Sequence, residues 1–374
     1  MATATMTTPA SIPSANKNRG KDQIPWGEDV WKRIDAAVTD EMTLTRVAAK
    51  ILPLVHVPKK VTTVPSDIVI VPGPPPPPPA PAPDQALSVD ESQTTRVNEF
   101  WVEFRLTPAQ MEDESREEVA MASGQRCSTG ISLSIRSANI LAQAEDTIVL
   151  NGGNGFANSP FFKNGQVQAR DTALAQHLDL GLLNIAPDGS IALPASQIVQ
   201  VHPVSQTPLR YSENSLDGVA QAFTTLQEFG FYEHYALVLN TVPYADLHTA
   251  LPTTLVTPVE PISHIVKAGV YGTATVPPFD GKTLGLPDKT KVPGGISPAD
   301  ANILFTGVLV SLSGNSMDLV RGSLDLDGAG KDLDVAAAFN QKDINENYRF
   351  RVLERFALRL KDPSAVILFL FLDK

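Results

Sequence analysis

Cysteine is almost missing. Cys127 stands alone among 374 residues, which excludes an internal disulfide framework and any cysteine-rich zinc site. Charge is scarce too: Asp, Glu, Lys and Arg make up 19% of the chain, against a usual share of about 25%. With 43% hydrophobic residues, the sequence is not that of a disordered chain, and part of its surface is expected to lie against another protein rather than water. The charge that is present leans acidic, at a net -11. With no basic patch to offset it, such a chain repels phosphate backbones, so nucleic acid is not an expected partner. Long apolar runs are also lacking. The most apolar stretch, residues 365–372, is far short of the roughly 20 residues a membrane helix needs. The first 25 residues show no apolar run behind a basic start, as a secretory signal would. The expectation is a cytoplasmic protein with no membrane partner.

What is present suffices for one large core or two, since domains run to roughly 100–200 residues. Residues 1–25, rich in Ala, Thr, Ser, Pro and Asn, read as a mobile tail with little to bury. From residue 28 to 47, Val30, Trp31, Ile34, Ala37, Val38, Met42 and Leu44 recur at three-and-four spacing, which predicts a helix with one apolar face. Pro53 and Pro58 end it. Residues 61–71 then read as a strand. Next comes PGPPPPPPAPAP, residues 72–83, a polyproline II rod with a reach of about 37 Å. On its far side Val97, Glu99, Trp101, Glu103 and Arg105 alternate with Asn98, Phe100, Val102, Phe104 and Leu106, a second strand. Two strands flanking a projecting tip make a long hairpin. The alternatives are a linker between an N-terminal helix and a separate domain, and a ligand for a WW or SH3 partner.

Acidic residues dominate 108–118, an acidic link into a second, longer helix carried by Ile131, Leu133, Ile135, Ile140, Leu141, Ala144, Ile148 and Val149. Asn151-Gly152-Gly153 is expected to stop it. Residues 152–212 read as loops with one short helix near 171–177. A helix over 216–229, capped by Ser215 and ended by Gly230, precedes a buried strand at 235–240. Residues 268–300 read as a long insertion before a strand at 303–310. An alternating strand at 348–360, a turn at Asp362-Pro363 and an apolar strand at 365–372 close the chain in a sheet.

The chemistry-bearing motifs are weak. Asp325-Leu-Asp327-Gly-Ala-Gly330 opens like a calcium loop, but the closing position falls on Ala336 where a bidentate Glu is required, so it reads as a polar turn. Gly328-Ala-Gly330-Lys331 is followed by Asp332, not the hydroxyl of a phosphate loop. His56, His177, His202, His234, His248 and His264 form no pair at zinc-site spacing. Ser128-Thr-Gly lacks a nucleophile elbow, and no Gly-rich turn suits a dinucleotide. No enzyme, metal or cofactor is expected.

The order of Trp31-Lys-Arg-Ile34-Asp35, Phe100-Trp-Val-Glu-Phe104, Glu145-Asp146, residues 235–241 and residues 365–370 resembles the encapsulins, bacterial and archaeal shell proteins of the HK97 phage-capsid fold. The resemblance implies an α+β fold with an N-terminal helix, an E-loop hairpin reaching onto a neighbour, a P-domain with a spine helix, and an A-domain. The expected divisions are a tail at 1–25, a helical arm at 26–57 and an E-loop at 58–96 with a polyproline tip. The P-domain would then run over 97–215, the A-domain over 216–306 and the P-domain return strands over 307–374. The implied function is a structural subunit that self-assembles, by default as 60 copies, into an icosahedral nanocompartment enclosing a cargo enzyme. The alternative is a phage or prophage major capsid protein of the same fold. The family binds a cargo targeting peptide near its first helix, which implies Trp31, Ile34, Val38 and Met42 as peptide contacts. The same stripe could instead pack on the chain's own sheet. Where the family shows Gly-Arg-Lys, an apolar pair and Asp after that helix, this chain has Ala48-Ala49-Lys50-Ile51-Leu52-Pro53.

Overall fold

A computed structural model describes residues 20, 23–70, 88–120, 128–171, 178–186, 188–250, 256–276, 288–295, 302–324 and 334–374. The proline run, Cys127, His177, all but residue 171 of the short helix expected near 171–177, and the Asp325–Lys331 motifs lie outside them. In chain order the N-terminal half contains α1 (Glu28–Thr45), α2 (Ala48–Ile51), β1 (Leu54–Val57), β2 (Thr63–Pro65), β3 (Ile68–Ile70), β4 (Ser88–Asp90), β5 (Thr94–Arg96), β6 (Asn98–Leu106), α3 (Pro108–Ala120), α4 (Thr129–Asn158), α5 (Pro160–Lys163) and β7 (Gln168–Ala169). There follow β8 (Ile198–Val201), β9 (Ser205–Gln206), β10 (Leu209–Arg210), α6 (Ser212–Glu228), β11 (Tyr235–Asn240), α7 (Thr241–Leu247), α8 (Val259–Ile265), β12 (Val270–Thr273), β13 (Ile303–Ser311), β14 (Met317–Gly322), β15 (Val335–Lys342), β16 (Tyr348–Leu360) and β17 (Val366–Leu372).

Two sheets organise these elements. In the first, β16 is the central strand: β6 pairs along one edge, from Tyr348↔Leu106 to Phe356↔Asn98, and β15 and then β14 share the other. The alternation of β16 explains its place. Phe350, Val352, Phe356 and Leu358 face the core beside Phe100, Val102, Phe104 and Leu106 of β6, while Arg351, Arg355 and Arg359 belong to the opposite set. On the core face Trp26 stacks on Phe350 at 4.8 Å between ring centroids, and Phe350 on Phe104 at 5.3 Å. Helix α1 packs between α4 and this sheet. Its first turn carries Glu28 and Asp29, charges suited to the positive end of the helix dipole.

The second sheet runs β12-β11-β13-β17-β8, with α6 against it. Strand β17 was expected among the return strands of 307–374, yet it pairs with β13 and, in parallel, with β8. The reason is its composition: all seven residues are buried, and a strand apolar on both faces needs the centre of a covered sheet. Strand β13 likewise crosses the expected boundary at 306/307.

Four further expectations are corrected. Helix α4 does not stop at Asn151-Gly152-Gly153. Gly152 leaves helical geometry at φ 53°, ψ -135°, and the helix then resumes to Asn158. The carbonyls of Val149 and Leu150, freed by the break, accept from the N–H groups of Leu182 and Leu183 at 3.0 and 2.9 Å. The acidic link at 108–118 is helix α3, begun by a reciprocal cap in which Gln110 N–H donates to the Thr107 hydroxyl and Thr107 N–H donates to the Gln110 side chain. Helix α6 starts at Ser212, so Ser215 lies inside it; Asp246 accepts the Tyr211 and Ser212 N–H groups at 2.6 and 2.7 Å. The presumed loops of 152–212 and 268–300 contain β8 and β12.

Candidate assembly and cargo-binding surfaces

The apolar stripe of α1 is core. Trp31, Ile34 and Met42 are each 1% exposed and Val38 is fully buried, in one cluster with Phe104, Phe350 and Leu141. The four residues assigned to a cargo peptide are thus covered by the chain's own α4 and sheet. The physical reason is size: an amphipathic helix laid on a sheet of aromatic residues buries its whole apolar face there. Outward on the same helix, Ala37, Glu41 and Leu44 fall on one side, and Leu44 is 74% exposed. Glu41 accepts from Asn139 of α4 at 2.7 Å, and Thr45 accepts from the same amide at 3.2 Å. These bonds tie the outward side of α1 to α4.

Where α1 ends, charges are buried. Arg46 lies 2.8 Å from both Glu145 and Glu354, and Arg321 bonds Glu145 and, at 3.2 Å, Glu354. The result is a closed ring of two guanidinium and two carboxylate groups joining the end of α1 to α4, β14 and β16. Burial and the adjoining Glu145 carboxylate push Glu354 up to about 8, against the pull of Arg46 and Arg321. Asp146 sits next to the ring and accepts the N–H groups of Val47 and Ala48 at 2.9 and 2.8 Å. Glu145-Asp146 therefore ties the start of α2, the very segment where Ala48-Ala49 departs from the resembled pattern, to the long helix.

The hairpin is held from below by arginines. Its outgoing strand is split into β2 and β3, its returning strand into β4 and β5, and each half pairs with its opposite. Arg355 donates to the carbonyls of Lys59 and Val61 at 2.8 and 2.7 Å. Arg359 donates to Pro65 O at 3.2 Å and pairs with Asp67 at 3.1 Å, while its other nitrogens grip Asp318 at 2.8 and 2.6 Å. Lys361 reaches the same Asp318 at 2.7 Å. In β3 and β4, Ile70 and Val89 are half exposed.

A six-stranded sheet crossed by a long broken helix, an arm built as a hairpin, and a second sheet carrying α6 can be compared with known proteins as a whole. The structure superposes on a virus-like particle subunit from Pyrococcus furiosus with a TM-score of 0.52 and 13% identity, covering 90% of this chain and 98% of that one. The chain has the HK97-type capsid fold. Encapsulins and phage capsids alike are among the structures similar to it. Residues 196–279, which carry β8, α6, β11, α7, α8 and β12, match the family model Linocin_M18, described as encapsulating protein for peroxidase. Lower similarity is found to the SrpI encapsulin complex of Synechococcus elongatus PCC 7942 (9% identity, TM-score 0.44, 86% of this chain and 85% of that one). The same holds for Mycobacterium phage Ogopogo (13%, 0.48, 87% and 92%). No curated protein matches the sequence.

Arg46, Arg321, Arg355, Arg359 and Asp318 were not singled out by sequence reasoning. A signal was available for some: Glu354, Arg355 and Arg359 interrupt a strand whose apolar residues already satisfy the alternation, and a charge inside such a strand asks for a partner. Among the described residues, no group of three His, Cys, Asp or Glu is placed to hold a metal ion. No helix among them is long and apolar enough to cross a membrane.

Proposed function

We propose that this chain is the subunit of an encapsulin-type shell, a structural protein whose copies close into an icosahedral nanocompartment around a cargo enzyme. The observation that carries this reading is the family match, which lies on the five-stranded unit of a complete capsid fold. We take that unit, including β8 and β17, as the A-domain. The low share of charge and the half-exposed Ile70 and Val89 of the hairpin are in keeping with surfaces that meet other copies. The description of the matched family makes a peroxidase the first cargo to try. With the apolar stripe of α1 covered, a cargo peptide would meet this helix on its outward side, at Ala37 and Leu44. A net charge of -11 favours a lumen for protein over one for DNA.

The test is to express the full chain and examine it by size-exclusion chromatography and negative-stain imaging. Closed particles free of nucleic acid by absorbance are expected. A species near the 40.1 kDa of one chain alone would overturn the shell, and particles filled with DNA would favour the phage capsid.

A further inference from the structure

The hairpin arm is bent, and both strands break at the same level. On the outgoing strand the break falls at Ser66 and Asp67, between β2 and β3. On the returning strand it falls at 91–93, where Asp90 folds back to accept the Ser92 N–H at 2.9 Å. Ser66 N–H donates across the gap to Gln93 O at 2.9 Å. Asp67 has φ 52°, a left-handed conformation that a residue with a Cβ adopts at a cost and that turns the strand sharply. Such a joint needs something to hold its angle. Three contacts do so, all from the end of β16. Arg359 takes Pro65 O before the bend and the Asp67 carboxylate at it, and Lys361 O accepts the Val69 N–H after it at 2.8 Å. Arg359 is itself immobilised by its two-pronged grip on Asp318, which is 1% exposed.

We infer that Asp67 and Arg359 lock the bend of the arm, so that its outer segment already points in one direction before it meets a neighbouring copy. The neighbouring copy rests on the shell reading; the lock does not. The inner segment has its own anchor in Arg355, so the two halves of the hairpin are held separately. A preset arm removes the ordering cost that a swinging one would meet on assembly.

The experiment is amide hydrogen exchange on the full chain as purified, comparing wild type with Asp67→Asn and Asp67→Gly. Asn tolerates the left-handed backbone and removes the charge; Gly frees the backbone as well. In Asp67→Asn, exchange at Val69, Ile70 and residues 88–90 is expected to rise about two- to fivefold, the range set by a half-exposed ion pair. In Asp67→Gly it should rise further. Val64 and Thr95 should keep their protection in both. Unchanged exchange in Asp67→Asn, or equal loosening of both halves, would overturn the lock. Particle formation by wild type is scored separately, so failure of the shell reading shows itself without touching this result.

Discussion

Four ionisable groups kept from water where α1, α4, β14 and β16 meet are stable only as a set, because each guanidinium faces two carboxyl groups and each carboxyl group two guanidinium groups. Removing one partner strands the others. Arg321→Met, at a fully buried position, leaves two carboxylates sharing Arg46 and should cost about 3–5 kcal/mol, read as a lower urea midpoint. Asp146, beside the ring, adds a pH dependence of definite sign. Burial first, and the Glu145 charge second, push its carboxyl from 3.8 up to about 7. Between those values the folded chain binds a proton that the unfolded chain does not, so stability is greatest at the acid end and falls as pH rises through the window. Glu354, pushed from 4.5 up to about 8, acts in the same direction, so the urea midpoint of wild type should drop between about pH 4 and about pH 8, and Asp146→Asn should reduce that drop without abolishing it. A drop of the same size in the variant would remove Asp146 from the account. On α1 the two sides give opposite expectations. Ile34→Asp places a charge in the core and should abolish soluble protein, whereas Leu44→Asp, at an exposed site, should leave the protein soluble and, in the proposed shell, lower the cargo retained.

At the scale of elements, local patterns that need no distant partner were legible: the stripe of α1, the alternation of β6 and β16, and the outgoing arm of the hairpin. Its return was misplaced: the strand expected over 94–106 belongs to the hairpin only at 94–96, and from Asn98 on it is β6, drawn into the large sheet by β16, while β4 and β5 answer the outgoing arm. Elements whose conformation answers to a distant segment were not. The break in α4 is the clearest case. A Gly pair after a helical run ordinarily marks an end. Here the chain resumes its helix because the segment at 181–183 supplies the N–H groups that satisfy the exposed carbonyls, and no sequence pattern displays that match. The fit is close: a Cβ on residue 152 would lie 1.8 Å from Asp179 O. Gly152→Ala should accordingly cost about 3 kcal/mol or more, the left-handed penalty and the overpacking together. Gly165 is the control. It has φ +67° with nothing within 4 Å of a built Cβ, so Gly165→Ala should cost about 1–2 kcal/mol, the backbone penalty alone. Equal losses of melting temperature in the two variants would mean that the contact with Asp179 carries no weight.

Across the whole molecule, strand existence was easier to read than strand partnership. Residues 348–372 read naturally as two strands joined by a turn at Asp362-Pro363, yet the turn carries the chain from the centre of one sheet into the interior of the other. The site was legible in the same uneven way: the stripe of α1 was visible, but whether it faces a peptide or a sheet depends on Phe104 and Phe350, far along the chain. Net charge, by contrast, needs no fold to be counted, and it makes a prediction about assembly. In the proposed shell each copy carries -11, so bringing copies together gathers like charge, while apolar contacts between them would gain from burial at any ionic strength. Salt shortens the reach of that repulsion to about 10 Å at 0.1 M and about 3 Å at 1 M. Assembly should therefore be favoured as salt rises from about 0.01 M to about 1 M, with a larger particle fraction by light scattering at a fixed protein concentration. A shell held mainly by ion pairs between copies would do the reverse and shed subunits at high salt. That result would move the contacts holding the particle from apolar surfaces to charged ones.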